Sequence, residues 1–205
     1  MFEQFVHRFR LTEGTPGGAD SPDRSAPLDG LYTRLGGCTF ERGLYRVHSE
    51  ASATAANELV IEAFPEFRGR LRCFGFDWLG RQFALDSDRG APDDREVLMF
   101  EPGTGQALEI PVPFSRFHDE ELVNYSEEAL AASFFSAWMA EDGPEIRFDE
   151  CVGYRTPLFL GGKDVLGNLE VSDIDVYWTI VGQLRRKTLN LPAGTSIGEI
   201  RIEEP

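Results

Sequence analysis

Cysteine is scarce in this 205-residue chain, and the three present, Cys38, Cys73 and Cys151, stand far apart. Their number is odd and no C-x-x-C spacing occurs, so neither a disulfide framework nor a zinc site is suggested. Three free thiols in a reducing cytoplasm are the expectation. Long apolar runs are missing too, and with them a transmembrane helix. The opening MFEQFVHRFRL is interrupted by Glu3, Gln4, His7, Arg8 and Arg10, unlike the continuous apolar core of a signal peptide. Basic residues are few: 20 Lys and Arg face 35 Asp and Glu, for a net charge of −15. Direct nucleic-acid binding is disfavoured, because phosphate contacts need clustered Lys and Arg.

Catalytic and ligand signatures are missing as well. Gly162-Lys163 lacks the remainder of a phosphate loop: Pro157 stands where the first Gly belongs, and Asp164 replaces the magnesium-holding Ser or Thr. Gly103-Thr104-Gly105 joins two strands and lacks the third Gly of a dinucleotide fingerprint. Asp86-Ser87-Asp88 begins like a calcium loop but continues with Gly90 and Ala91 in the wrong places. His118 and Glu121 share one helical face, yet no second ligand pair accompanies them, and a solvated helix face is the ordinary reading. No G-x-S-x-G elbow occurs. No cofactor, metal or catalytic residue is expected.

Apolar residues make up 41% of the chain, enough for a packed core. The most informative stretch is Leu71 to Asp86, LRCFGFDWLGRQFALD, which reads as a β-hairpin turning through Asp77 to Gly80. Strict alternation puts Leu71 and Cys73 on one face, and Arg72, Phe74 and Phe76 on the other. Glu96 to Glu101 and Ala107 to Val112 add two strands. Residues 70–112 therefore predict an antiparallel meander of four strands, covered by helices on one side. Helices are predicted over Ala51 to Phe64, Phe114 to Val123, 127–140 and 173–187, the last capped through Ser172 and Asp175. Gly182 inside that helix predicts close approach of another backbone. Thr39 to His48 and Cys151 to Gly162 read as extended. Met1 to Leu11 reads as a short helix, Thr12 to Pro27 as a loop, and Ile197 to Ile202 as a terminal strand. The whole, 1–205, is expected to be one α+β domain with residues 1–35 as an N-terminal extension.

Charge is uneven. Residues 71–145 hold 16 acids and 5 bases, a net of −11, whereas the flanking segments 1–70 and 146–205 each carry −2. Solubility is the ordinary explanation. The sharper one is a surface that attracts a basic partner. Its candidate residues are Asp86, Asp88, Asp93 and Asp94 in one loop, and Asp119, Glu120, Glu121, Glu127 and Glu128 in the helical region. Trp78, at the hairpin turn, is expected in the core, with an interface anchor as the alternative.

Three stretches carry a resemblance. They are Phe40 to His48 (FERGLYRVH), Cys73 to Asp86 (CFGFDWLGRQFALD) and Cys151 to Leu184 (CVGYRTPLFLGGKDVLGNLEVSDIDVYWTIVGQL). Their GLYR, FG-D-GR and PLFLGG-NLE-VYW patterns resemble the bacterial immunity proteins of type VI secretion DNase effectors, a group similar to the SUKH superfamily. The resemblance spans residues 40–190. It implies a curved, antiparallel-rich sheet with helices beside it. It also implies a non-enzymatic role, binding and neutralising a toxin protein, often a nuclease. Joined to the acidic charge and the cysteine usage, the leading reading is a cytoplasmic immunity or antitoxin-like factor that occludes a basic toxin, a nuclease for preference. A structural or regulatory scaffold is the alternative; an enzyme would require a pocket of perturbed carboxylates.

Overall fold

The computed structural model describes residues 1–17, 27–141, 143–192 and 195; the predicted strand at Ile197 to Ile202 lies outside them. The four predicted strands are present: β4 (Leu71–Asp77), β5 (Gln82–Asp86), β6 (Glu96–Glu101) and β7 (Gln106–Pro113). Three short strands continue the sheet beyond β4: β1 (Leu11–Glu13), β2 (Thr39–Phe40) and β3 (Tyr45–Val47). The resulting seven-stranded sheet is antiparallel throughout, in the order β1 to β7. Thr12, expected in a loop, therefore lies in an edge strand. A separate antiparallel pair, β8 (Glu150–Tyr154) and β9 (Leu169–Asp173), sits beside the hairpin tip, where Val152 N–H donates to the Trp78 carbonyl at 2.7 Å.

Helices cover both faces of the sheet, not one. On the first face lie α1 (Glu3–Arg8), α2 (Pro27–Leu35) and a helical run from Phe114 to Ala140, packed on Tyr45, Phe74, Phe83, Val97 and Met99. The second face carries α3 (Glu50–Ala63) and α8 (Ile174–Thr188), packed on Cys73, Phe76, Ala84, Leu98 and Phe100. Alternation along β6 divides Val97 and Met99 from Leu98 and Phe100, as a strand buried on both sides requires. In β4 the simple alternation fails. A bulge between Cys73 and Gly75 shifts the register, so Phe76 joins Leu71 and Cys73 on the second face while Phe74 stays on the first.

The helical run is broken more often than its apolar pattern suggests. It comprises α4 (Phe114–Arg116), a wide turn over Phe117–Glu121, α5 (Leu122–Asn124), α6 (Ser126–Leu130) and α7 (Ala132–Ala140). The predicted helix over 127–140 is thus two helices, divided at Ala131 (φ 50°). The cause is visible in the hydrogen bonds. The carbonyls of Ala129 and Leu130 accept from Arg81 Nη2 at 3.1 Å and Trp78 Nε1 at 2.9 Å, instead of from the next helical turn. That diversion holds a non-glycine residue in the left-handed region, at a cost of ~1–2 kcal/mol.

α8 starts one residue later than the capping pattern suggests. Asp173, not Ser172, caps it, its Oδ1 accepting from Val176 N–H at 2.9 Å. Gly182 meets the expectation of a close approach: a Cβ there would come within 3.0 Å of Ala63 Cβ, so α3 and α8 cross where both side chains are minimal. α3 opens with a reciprocal cap, Ser52 N–H to Ser49 Oγ at 3.2 Å and Ser49 N–H to Ser52 Oγ at 3.0 Å. All three cysteines are buried and unbridged.

Candidate partner-binding surface

The hairpin tip is an internal hub. Gly80 takes the positive φ its turn needs, 75°. Asp77 is fully buried, and its Oδ1 accepts from the N–H groups of Leu79 and Arg81 at 3.0 and 2.9 Å. Its Oδ2 accepts from Arg81 Nε at 2.6 Å. Glu101 stands 3.9 Å from the same guanidinium, and burial raises its pKa to about 7. Two tryptophans tie the tip to opposite faces: Trp78, within it, donates its Nε1–H to the Leu130 carbonyl at 2.9 Å, and Trp178 Nε1–H donates to the Gly80 carbonyl at 2.8 Å. Trp78 is fully buried against Phe134 and Phe135, with ring centroids 5.4 and 5.3 Å away. Its alternative role as an exposed anchor is therefore corrected: it is core.

His118 is corrected likewise. It is neither a solvated residue nor grouped with Glu121 around a metal. Its ring is buried among Phe2, Phe5, Phe74, Phe114 and Phe117, with Nε2 3.0 Å from Tyr45 Oη. Burial lowers its pKa to about 3, so it is neutral at ordinary pH.

Most acids singled out by charge density hold the fold together. Asp86 is buried, paired with Arg70 at 3.1 Å and accepting from Asp88 N–H at 3.0 Å, which removes it from the surface. Asp88 pairs with Arg70 at 2.9 Å. Asp94 receives Ser115 N–H at 3.0 Å and Ser115 Oγ at 2.6 Å. Asp119 accepts from the N–H groups of Phe2 and Phe5 at 2.8 and 3.1 Å, and so pins the first turn of the chain. Glu120 pairs with Arg116, and Glu127 accepts from Ser133 N–H at 2.8 Å. Among the described residues, the side chains of Asp93, Glu121 and Glu128 make no ion pair or hydrogen bond. Burial and the neighbouring Glu128 raise the pKa of Glu121. The 86–96 loop is also less acidic in space than in sequence. Asp93 and Asp94 share a cleft of about 250 Å³ with Arg70, Arg72 and Arg95.

Sequence reasoning missed a second cleft, of about 180 Å³, on the other face. Its floor is polar. His48 is buried, with Nε2 2.8 Å from Gln82 Oε1 and Nδ1 3.0 Å from Ser52 Oγ. Burial lowers the His48 pKa to about 4, leaving a neutral ring. His48 also stacks on Phe76 at 4.5 Å. Ala55, Ala56 and Leu59 of α3, with Phe148 and Ile174, form apolar walls. Asp149, Asp173 and Asp175 line the remaining side. The β8–β9 register brings them together: Glu150 pairs with Asp173, and Ile174 N–H donates to the Asp149 carbonyl at 3.0 Å. Nothing in the linear pattern announces this, because His48 and Asp175 are contributed by elements far apart in the chain.

No helix among the described residues is long and apolar enough to cross a membrane. Compared with known proteins, residues 113–185 match the family described as T6SS immunity protein Tdi1, C-terminal. Over that segment the chain resembles the type VI secretion immunity proteins, and the match supports an immunity role with a cognate effector as protein partner. No curated protein matches the chain. A solved structure, the crystal structure of Atu4351 from Agrobacterium tumefaciens, is similar with a TM-score of 0.60 and 17% identity, over 89% of each chain. The α+β architecture is therefore shared with a known structure.

Proposed function

We propose, taking the immunity-family segment as the premise, that this chain is a non-enzymatic immunity protein. It binds the cognate effector and covers the surface with which the effector acts. The observation that carries this reading is the family match over residues 113–185. That segment supplies α4 to α7, the β8–β9 pair and most of α8, and it contributes Phe148, Asp149, Asp173, Ile174 and Asp175 to the second cleft. A net charge of −15 supports a basic partner, a nuclease above all, since a nuclease must itself attract phosphate. Occlusion fits better than paired-carboxylate chemistry: of the acids whose pKa is raised, Asp77 and Glu101 are tied to the buried Arg81, Glu121 lies outside both clefts described above, and Asp175 stands in the second cleft.

Co-expression tests the reading. A toxin encoded beside this chain is induced with and without it, and growth and chromosomal DNA integrity are followed. Rescue of growth, with a one-to-one complex on gel filtration, is the expected result. Continued killing in the presence of folded protein would replace the reading with the scaffold alternative.

A further inference from the structure

The cleft between α3 and the start of α8 has a composition that a general binding reading does not explain. Its walls are apolar and include the half-buried ring of Phe148, and its floor holds a neutral imidazole and an amide. Three aspartates, Asp149, Asp173 and Asp175, are among its lining residues. Two of these have an ordinary explanation, since Asp173 and Asp175 lie at the positive end of α8. Asp149 does not: it precedes β8, is exposed, and pairs only with Arg147, itself exposed, at 3.3 Å. Asp175 has no ion-pair partner among the described residues, and burial together with Asp173 raises its pKa. The positive charge nearby is Arg147, exposed, and Arg46, buried behind Phe76, so the open side of the cleft keeps Asp175 without an ion-pair partner among the described residues.

We infer that this cleft receives one arginine side chain of the effector. The inference rests on the immunity reading for the identity of the partner. An arginine suits each surface. Its methylene stem covers Ala55, Ala56 and Leu59, its planar head stacks on Phe148, and its N–H groups reach the carboxylates. A volume of about 180 Å³ is on the scale of one long side chain, not of a helix. Guanidinium is also less strongly hydrated than ammonium, so entry into a partly apolar cleft favours arginine over lysine. The fold already treats a guanidinium this way. Buried Arg46 places its Cζ 4.3 Å from the centroid of Phe76 and directs its N–H groups to the carbonyls of Asp77 and Arg147, at 2.7 and 2.8 Å.

Two arms test the inference and separate it from the immunity reading. In the first, the purified protein is titrated with N-acetyl-arginine amide, its lysine analogue, and the neutral isostere N-acetyl-citrulline amide, while amide resonances are followed by NMR. Shifts with the arginine compound should cluster at Ser52, Gln82, Ile174 and Asp175, and citrulline should produce none. The double variant Asp149→Asn/Asp175→Asn, which spares the helix cap, should weaken arginine binding about fivefold or more. Ala55→Arg, on the exposed side of α3, should fill the cleft from within and abolish the shifts. Equal binding of citrulline, shifts scattered over the surface, or an unchanged double variant would overturn the inference; stronger binding of lysine would overturn the choice of arginine. In the second arm, the same variants meet the co-expressed toxin. Complex formation by wild type but a loss of about tenfold or more in affinity for both variants supports the inference. Full protection by both variants rejects the cleft and keeps the immunity reading. Absence of any complex with wild type rejects the immunity reading, and the first arm then decides the cleft alone.

Discussion

The acids between Asp77 and Glu128 are dense in sequence and mostly engaged in space; Asp149, Asp173 and Asp175 are sparse in sequence and line one cleft. Asp77, Asp94, Asp119 and Glu127 each accept main-chain N–H groups, and Asp86 and Glu120 neutralise arginines. A carboxylate so occupied has little left for a partner. The net charge of a segment therefore describes its long-range field, while contact chemistry depends on which charges remain unmatched where the surface is concave. The two groups should respond differently to the same substitution.

The largest contrast is in stability. Asp77→Ala strands the buried guanidinium of Arg81, leaving the Ala129 carbonyl and, 3.9 Å away, Glu101 as the one remaining acidic partner among the described residues. Breaking a buried pair in this way costs about 3–5 kcal/mol. Asp175→Ala, at an exposed position, should stay within about 0.5 kcal/mol of wild type. Urea unfolding at pH 7 measures both. Similar midpoints for the two variants would erase the distinction between tied and free acids.

Acid should reveal the next contrast, between the two buried histidines and Glu101. The folded pKa of His118 is lowered from 6.5 to about 3, and that of His48 to about 4, in both cases by burial. The unfolded chain binds more protons below 6.5, so their contribution is complete above that pH and is lost as pH falls towards 4 and 3. Glu101 acts in the opposite sense: raised from 4.5 to about 7, it favours the folded state as pH falls through that window. Above pH 4.5 the contributions offset one another in part; below it only the histidine loss remains. By pH 4 the loss from His118 alone is on the order of 3 kcal/mol. Thermal unfolding across pH 7 to 3.5 should show a shallow upper limb and a steep lower one. His118→Phe should flatten the lower limb, and a variant that keeps the wild-type slope would remove His118 from the acid response.

Much of this fold is legible in the residues. The Leu71 to Asp86 hairpin, the strands at Glu96 and Ala107, the stripe of α8 and the small contact at Gly182 follow from periodicity and turn chemistry. What alternation cannot show is an interruption imposed from elsewhere. The β4 bulge reverses Phe76, and Trp78 and Arg81 divert the carbonyls that would have continued α6 through Ala131. The second cleft was hidden for the same reason. His48 follows β3, Gln82 begins β5, and Asp149 and Asp175 flank the β8–β9 pair, so only tertiary pairing makes them neighbours. Asp119 reads as one charge in an acidic run, because its partners, the N–H groups of Phe2 and Phe5, are more than a hundred residues away.

That long-range contact gives a smaller effect. Asp119→Ala should cost about 1–2 kcal/mol, the scale of a lost cap. The loss should be local. Amide exchange at Phe5 and Phe9 should accelerate while the strands around Phe83 remain protected, because α1 packs on the core mainly through Phe2, Phe5 and Phe9. Uniform acceleration would show that α1 unfolds only with the rest of the domain.

The smallest expected effect on stability belongs to Asp93 and Glu128, exposed and unpaired among the described residues. Asp93→Lys and Glu128→Lys together should shift stability by less than about 0.5 kcal/mol. Their influence should appear in association instead. If the immunity reading is right, these charges act on a basic effector from a distance, and reversal should slow binding at low salt. The difference should fade as the screening length contracts from about 10 Å at 0.1 M to about 3 Å at 1 M. Asp149→Asn/Asp175→Asn should behave otherwise, because these exposed charges are covered once the effector's arginine enters the cleft, and a covered pair is screened less. Its main effect should be faster dissociation that persists at high salt. Stopped-flow association and chase dissociation with the co-expressed toxin, at two salt concentrations, separate the cases. An on-rate indifferent to both salt and the Asp93 and Glu128 reversals would remove long-range steering from the mechanism. A cleft variant whose defect vanished at high salt would reduce Asp149 and Asp175 to the same outer field.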